Sequence, residues 1–166
     1  MQTEDQGFVC DEMLKKLTRW LRIAGYNVIS PSMKDDGEIA KLSIETDRVL
    51  ITRDKDLSKR KGPTTLLMIS DDLDLQLEEI KRYIFTIKDP RGRSRCPLCN
   101  GDLSYVKRAE LTPSMIETIP GRTLSSFDTF FICCECNKIY WKGSHWNRII
   151  ERLSKHSMEP HLPDQP

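Results

Sequence analysis

Four cysteines constrain this chain more than any other residues. Cys96-Pro97-Leu98-Cys99 and Cys133-Cys134-Glu135-Cys136 are two Cys-x2-Cys pairs with 33 residues between them. Two such pairs can point four thiolates at one tetrahedral ion, the donor set of a structural zinc site. The long gap suits a zinc ribbon with an intervening loop better than a compact finger. Asn100-Gly101 and Asn137-Lys138 follow the pairs and supply the tight turns that a cysteine knuckle needs. The competing readings are two disulfides or a redox pair. A reducing compartment disfavours the first, and a thioredoxin-like site needs one pair beside a βαβ unit. Zinc is therefore the expected cofactor, on Cys96, Cys99, Cys133 and Cys136. Cys134 is left over, because only Cys133 keeps the two-residue spacer. Cys10 lies in an apolar run and is expected to pack.

The rest of the chain must supply its own core. It has 166 residues, 38% hydrophobic and 31% charged, which suits one compact domain or a small domain with an appended module. Twenty-six Lys and Arg against 25 Asp and Glu exclude a simple polycation, so any attraction for phosphate must come from local clusters. There is no run of 18 apolar residues, hence no expected membrane helix and no membrane partner. The start, Met1 to Gln6, is polar and acidic and lacks the features of a signal peptide. The expected location is the cytoplasm. Lys88 to Arg95 reads as a basic linker between residues 7–88 and residues 95–156. Residues 157–166, with three prolines, are expected to be a disordered tail.

Residues 7–88 alternate strand and helix. Strands are expected at 7–10, 27–29, 49–52 and 64–69. Helices are expected at 12–24, 36–46, near Leu57 and at 72–85, with a further helix at 145–155. This order predicts an α/β fold, a parallel sheet with helices on both faces. Sites in such sheets form at the carboxyl ends of the strands.

Acidic residues fall at those ends. Asp11 follows the first strand, and Asp54 and Asp56 follow the third. Asp35, Asp36 and Glu38 open the second helix. Crowded carboxylates repel one another and lose hydration, and a divalent cation offsets both costs. Oxygen ligands suit Mg²⁺ or Mn²⁺, which can serve phosphodiester hydrolysis. Plainer roles compete: Asp11 as a helix cap, Asp35 with Glu38 as a capping-box-like pair, and Asp54 and Asp56 as turn residues.

The first helix carries Met13, Leu14, Leu17, Trp20, Leu21 and Ala24 as an apolar stripe. Lys15, Arg19 and Arg22 fall together on the opposite side. Such a basic face would hold flanking phosphates, or would simply be a solvated surface. Lys59-Arg60-Lys61 is a second basic cluster with the same two readings. After the second knuckle, Tyr140-Trp141-Lys142-Gly143-Ser144-His145-Trp146-Asn147-Arg148 interleaves aromatic and basic groups. Trp146 and its neighbours would stack on bases while Lys142 and Arg148 meet phosphates of RNA, and His145 would contact RNA or cap the last helix. Alternatively, Tyr140, Trp141 and Trp146 fill the small core of the ribbon.

Val9-Cys10-Asp11-Glu12-Met13-Leu14, Leu17-Thr18-Arg19-Trp20-Leu21-Arg22, Gly25-Tyr26, Leu50-Ile51-Thr52-Arg53-Asp54, the two knuckles and Tyr140 to Trp146 together resemble the RNase-like domain at the C-terminus of the Mut-7 exonuclease. The resemblance spans about Phe8 to Arg152. It implies a PIN-like nuclease fold with a zinc ribbon, metal-dependent ribonuclease activity and RNA binding. It places Asp11, Asp36, Asp54 and Asp56 in the acidic site, with Asp35 and Glu38 as rivals to Asp36. It gives Cys96, Cys99, Cys133 and Cys136 to the ribbon. Glu12 stands where small residues are common in the family.

Three readings follow. The first is a Mg²⁺- or Mn²⁺-dependent endoribonuclease. The second is a non-catalytic adaptor whose partner is RNA or a ribonucleoprotein. The third is a phosphorylated receiver-like signalling domain, which would need a Lys after a fifth parallel strand.

Overall fold

The computed structural model describes residues 7–32, 35–84 and 92–164. Its first half is built on four parallel strands: β1 (Phe8–Cys10), β2 (Val28–Ile29), β3 (Val49–Thr52) and β4 (Thr65–Leu67). Their order in the sheet is β2-β1-β3-β4. β1 and β3 are buried along their whole length, as expected for strands covered on both faces. Alternate side chains enter separate cores. Phe8, Val49 and Ile51 join α1 (Lys15–Ala24) and α4 (Leu73–Ile84), whereas Val9 and Leu50 join α2 (Asp36–Glu45) and Leu57 of α3 (Lys55–Ser58). The chain leaves β1 toward β2 and then returns past it to β3. The direction of winding therefore reverses between β1 and β3, and this is where sheets of this kind form their crevice.

Local chemistry fixes the element ends. Gly25 stops α1 in the left-handed region (φ 104°) and returns its N–H to the Arg22 carbonyl at 3.1 Å. Asp35 caps α2 through the Glu38 N–H at 3.0 Å. The first helix opens with a 3-10 turn over Glu12–Leu14. That change of pitch rotates Met13 out of the expected apolar stripe and leaves it 64% exposed. The strand expected at 64–69 is shorter, and Ile69 beyond it is 81% exposed.

The second half is a three-stranded antiparallel sheet of β5 (Leu103–Lys107), β6 (Thr129–Cys133) and β7 (Ile139–Tyr140), in the order β5-β6-β7. The segment between the knuckles holds two helices, α5 (Pro113–Thr118) and α6 (Gly121–Ser126). Thr112 caps α5 with Pro113 in its first turn, a helix-start signal present in the sequence. Phe130, Ile132 and Ile139 form the core here, and Trp141 packs against it.

α7 (Ser144–Lys155) leaves the ribbon and docks on the first half. Leu153 is fully buried in the core beside α1 and α4. Arg152 donates two hydrogen bonds to Asp74, at 2.8 and 2.9 Å, and lies over the ring of Trp20. Residues 157–164 do not match the expected disordered tail. Met158 is 2% exposed in the first core, and the His161 carbonyl accepts the Ser94 N–H at 2.7 Å. A few buried atoms suffice to anchor a segment whose composition is polar. Met1 to Gln6, Lys88 to Arg91 of the expected linker, and the last two residues lie outside the described residues. Among the described residues, no helix is long and apolar enough to cross a membrane.

Candidate metal centre and active site

The two knuckles meet. The sulfur atoms of Cys96, Cys99, Cys133 and Cys136 all lie within 4.8 Å of one another. Cys96 Sγ and Cys136 Sγ are 3.7 Å apart, and Cys99 Sγ and Cys133 Sγ are 3.3 Å apart. A tetrahedral zinc with bonds near 2.3 Å has S···S edges of about 3.8 Å, so the donor set fits that ion. The cradle has little slack. Asn100 and Asn137 take positive φ values of 71° and 57° at the knuckle turns. A Cβ on Gly101 would come within 2.9 Å of Cys133 Sγ. Burial opposes ionisation of Cys96, but hydrogen bonds from Tyr140 and from the Cys99 and Leu98 amides bring its thiol down to about 7. Burial, and then the Cys96 thiolate, raise the Tyr140 phenol, which remains the proton donor at 3.1 Å. Cys134 is exposed and approaches Ser104 Oγ instead, at 3.1 Å. Cys10 is buried in the first core, and burial pushes its thiol up to about 12.

Arg22 shares a face of α1 with Lys15 and Arg19, but the first knuckle covers that end of the face. Arg22 is 6% exposed. Its guanidinium donates to the Val28 carbonyl at 3.0 and 2.9 Å and to the Pro97 and Leu98 carbonyls at 3.1 and 2.9 Å. The first knuckle lies against that side of α1 and takes the charge inward. The phosphate-binding role read for Arg22 is therefore replaced by a structural one: this side chain bolts the knuckle to β2. Lys15 and Arg19 are exposed, and Lys15 pairs with Glu12 at 2.6 Å.

The acidic residues gather less tightly than the cysteines. Asp11 and Asp54 follow neighbouring parallel strands, with Cys10 in register with Ile51. Asp11 is 7% exposed. Its Oδ1 accepts the Met13 N–H at 2.9 Å, and its Oδ2 accepts the Thr52 hydroxyl at 2.7 Å. Thr52 Oγ1 in turn accepts the Asp54 N–H at 2.9 Å. One hydroxyl thus links the two strand ends. Sequence reasoning gave Thr52 no role. A Thr two positions before Asp54, at the end of a buried strand, was the signal.

Asp54 caps α3, accepting from Asp56 N at 2.7 Å and Leu57 N at 3.0 Å. These two bonds hold its carboxyl below the ordinary carboxylate range. Asp56 is exposed and pairs with Lys59 at 3.2 Å. Asp36 is the first residue of α2, half-buried, directly after the cap Asp35. Among the described residues, the cysteines are the one group of three or more such side chains whose ligand atoms converge. Asp11, Asp36, Asp54 and Asp56 share an edge without closing into a group of that kind.

Lys142, His145, Trp146 and Arg148 stand together where β7 gives way to α7. Lys142, His145 and Arg148 are exposed and Trp146 is half-buried. Lys142 Nζ lies 5.7 Å from the ring centre of Phe131. The Lys59-Arg60-Lys61 cluster is exposed.

A parallel α/β layer with acidic strand ends at its switch point, joined to a four-cysteine ribbon, defines a two-part domain with a cysteine cluster that fits zinc and a separate polar edge. The family model of the Mut7-C RNAse domain matches residues 6–153, and the chain belongs to that family. It is a nuclease-type domain, and RNA is the substrate class that goes with it. No curated protein and no solved structure matches the chain. The receiver-like reading also loses its footing. The parallel sheet has four strands among the described residues, and β5 belongs to the ribbon.

Proposed function

We propose that this protein is a Mg²⁺- or Mn²⁺-dependent endoribonuclease whose ribbon helps to hold RNA. The observation that carries the reading is the Asp11–Thr52–Asp54 chain of hydrogen bonds at the switch point. Asp11 is a buried carboxylate with no Lys or Arg partner among the described residues. A divalent cation beside it would offset the cost of burying that side chain. Asp11, Asp36, Asp54 and Asp56 would hold that cation. Such an ion supplies charge stabilisation at the phosphoryl oxygens and a lowered pKa for water.

The chain's own residues do the positioning. Thr52 fixes the direction of the Asp11 carboxylate, and the first turn of α3 fixes that of Asp54. Lys15 and Arg19 lie on α1 just beyond Asp11 and would bind phosphates next to the scissile one. No side chain is needed as nucleophile. Water attacks phosphorus in line, the 3′-oxygen leaves and takes a proton from solvent, and the products carry a 5′-phosphate and a 3′-hydroxyl. The cytoplasm suits this chemistry, since thiolates there stay reduced and available to zinc.

A circular single-stranded RNA, incubated with Mn²⁺ and zinc-loaded protein, tests the proposal. Linearisation is expected, with a loss of about 100-fold or more in Asp11→Asn, the scale of removing one charge-stabilising group. Intact RNA, or full cleavage by Asp11→Asn, would overturn it. The adaptor reading draws on Asp35 and Asp54, whose capping bonds already account for their positions. RNA retention without cleavage in the same assay would favour that reading.

A further inference from the structure

A cleft of about 190 Å³ opens where the ribbon meets the first half of the chain. Tyr140, Trp141, Trp146 and Phe131 contribute aromatic wall. Ile23 at the end of α1 and Pro97 of the first knuckle face them. Arg95, Lys142 and His145 also line it. Ligand pockets for drug-sized molecules run from about 300 Å³ upward, so this one has the scale of a single ring system.

Two details show that the walls are unfinished. Ser94 lines the cleft and is 3% exposed. Its hydroxyl is buried and has no hydrogen-bond partner among the described residues. An unsatisfied polar atom in such a place is rare, and a hydroxyl can both donate and accept. The second detail is the aromatic lining. Among the described residues, neither Trp141 nor Trp146 is paired with another ring. Gly143 lets the Trp141 and His145 rings close in, since a Cβ there would sit 3.1 Å from Trp141 Nε1 and 3.3 Å from His145 Cε1.

We propose that this cleft receives one unstacked nucleobase of a single-stranded RNA, its faces against the tryptophans, its polar edge on Ser94 Oγ, and its flanking phosphates near Lys142 and Arg95. Planar apolar walls suit the faces of a base, a lone hydroxyl suits its edge, and cations at the rim suit the strand it belongs to. Arg95 is held by Asp102 at 3.2 Å and by the Asn100 carbonyl at 2.8 Å, which leaves Lys142 as the main phosphate contact. The inference rests on RNA being the ligand and names where one base goes. The cleft lies at the far end of α1 from Asp11, and the ten residues of α1 rise about 15 Å, so the bound base is not the one at the scissile bond.

Binding without cleavage tests it. Zinc-loaded full-length protein, with no magnesium or manganese added, is titrated with a labelled single-stranded oligoribonucleotide and with the same strand made abasic throughout. Label anisotropy reports binding, and tryptophan fluorescence reports stacking. The intact strand is expected to quench the tryptophans and to bind about ten-fold more tightly than the abasic one. Trp146→Ala should remove about ten-fold of that affinity, and Ser94→Ala, which leaves the aromatic wall in place, about five-fold. Neither variant should change the affinity for the abasic strand. Zinc content and melting temperature establish that both variants are folded. Equal binding of the two strands, or intact-strand affinities for folded Ser94→Ala and Trp146→Ala equal to that of the parent, would overturn the proposal. If these differences hold while circular RNA stays uncleaved, only the nuclease reading falls. If cleavage proceeds and the differences are absent, only the base cleft falls.

Discussion

The side-chain amides of Asn27 and Asn100 meet at 2.8 Å, and so the edge of the parallel sheet is joined to the turn of the first cysteine knuckle. Asn100 Oδ1 also accepts the Val28 N–H at 3.0 Å, completing the edge of β2. Arg22 adds its four bonds to Val28, Pro97 and Leu98 beside this contact. The cysteine ribbon and the α/β layer are thus held together by polar groups, the buried Arg22 and the half-buried Asn27 and Asn100.

Arg22→Met should therefore cost stability and leave RNA binding alone. It strips partners from three carbonyls in a buried junction, a loss of about 3 kcal/mol. Urea unfolding reads the stability and oligonucleotide anisotropy reads the binding. A folded variant of unchanged stability with weakened RNA binding would return Arg22 to the phosphate-binding face.

Native mass spectrometry should find one zinc per chain. Cys136→Ser should lose it, and Cys134→Ser should keep it, because Cys134 approaches Ser104 and not the sulfur cluster. Loss of the ion should also lower the melting temperature of the first half, through the Asn100 and Arg22 contacts. Independent melting of the two halves would contradict that coupling.

Asp54 has two roles that one pair of substitutions separates. Asp54→Ala removes the cap of α3 and should destabilise the fold by about 1 kcal/mol. Asp54→Ser keeps a capping oxygen and should hold most of that stability, yet it removes the carboxylate and should abolish cleavage. Full activity in Asp54→Ser would show that the residue is a cap alone.

Acid should loosen α7. The hydrogen bond from Arg152 holds the Asp74 carboxyl below its ordinary range, against the opposing effect of burial. A depressed folded value stabilises above the unfolded value of about 3.9 and loses that effect as pH falls through the folded value. The pair is partly exposed, at 36% and 45%, so screening limits the contribution to about 1 kcal/mol. Asp74→Asn should lower the urea midpoint at pH 7, and the difference from the parent should shrink steadily as pH falls below about 3.9. A constant difference across that range would remove Asp74 as the cause.

Much of this architecture is legible in the residues. The apolar runs at Phe8–Cys10 and Val49–Thr52 announce buried strands, and both lie where expected. The cysteine spacing announces the ribbon, and Asp35 announces its own cap. Other features depend on contacts that no local pattern encodes. Arg22 shares a helical face with Lys15 and Arg19, and only the arrival of the Pro97 and Leu98 carbonyls turns it inward. Met13 obeys the α-helical wheel until a 3-10 turn moves it. Met158 sits in a proline-containing polar stretch, yet one buried side chain draws that stretch onto the core. Asp11 and Asp54 are legible as strand-end acids. The hydroxyl of Thr52 that couples them belongs to the geometry of the pairing between β1 and β3.

The ribbon is fastened at both ends, through Arg22 and Asn100 where the chain enters it and through Leu153 and Met158 after the chain leaves it. A module tethered once can swing. One tethered twice sets the span between Trp146 and Asp11, and on the proposed reading that span would act as a ruler: a strand gripped at one mark would be cut at the other, leaving ends of uniform length.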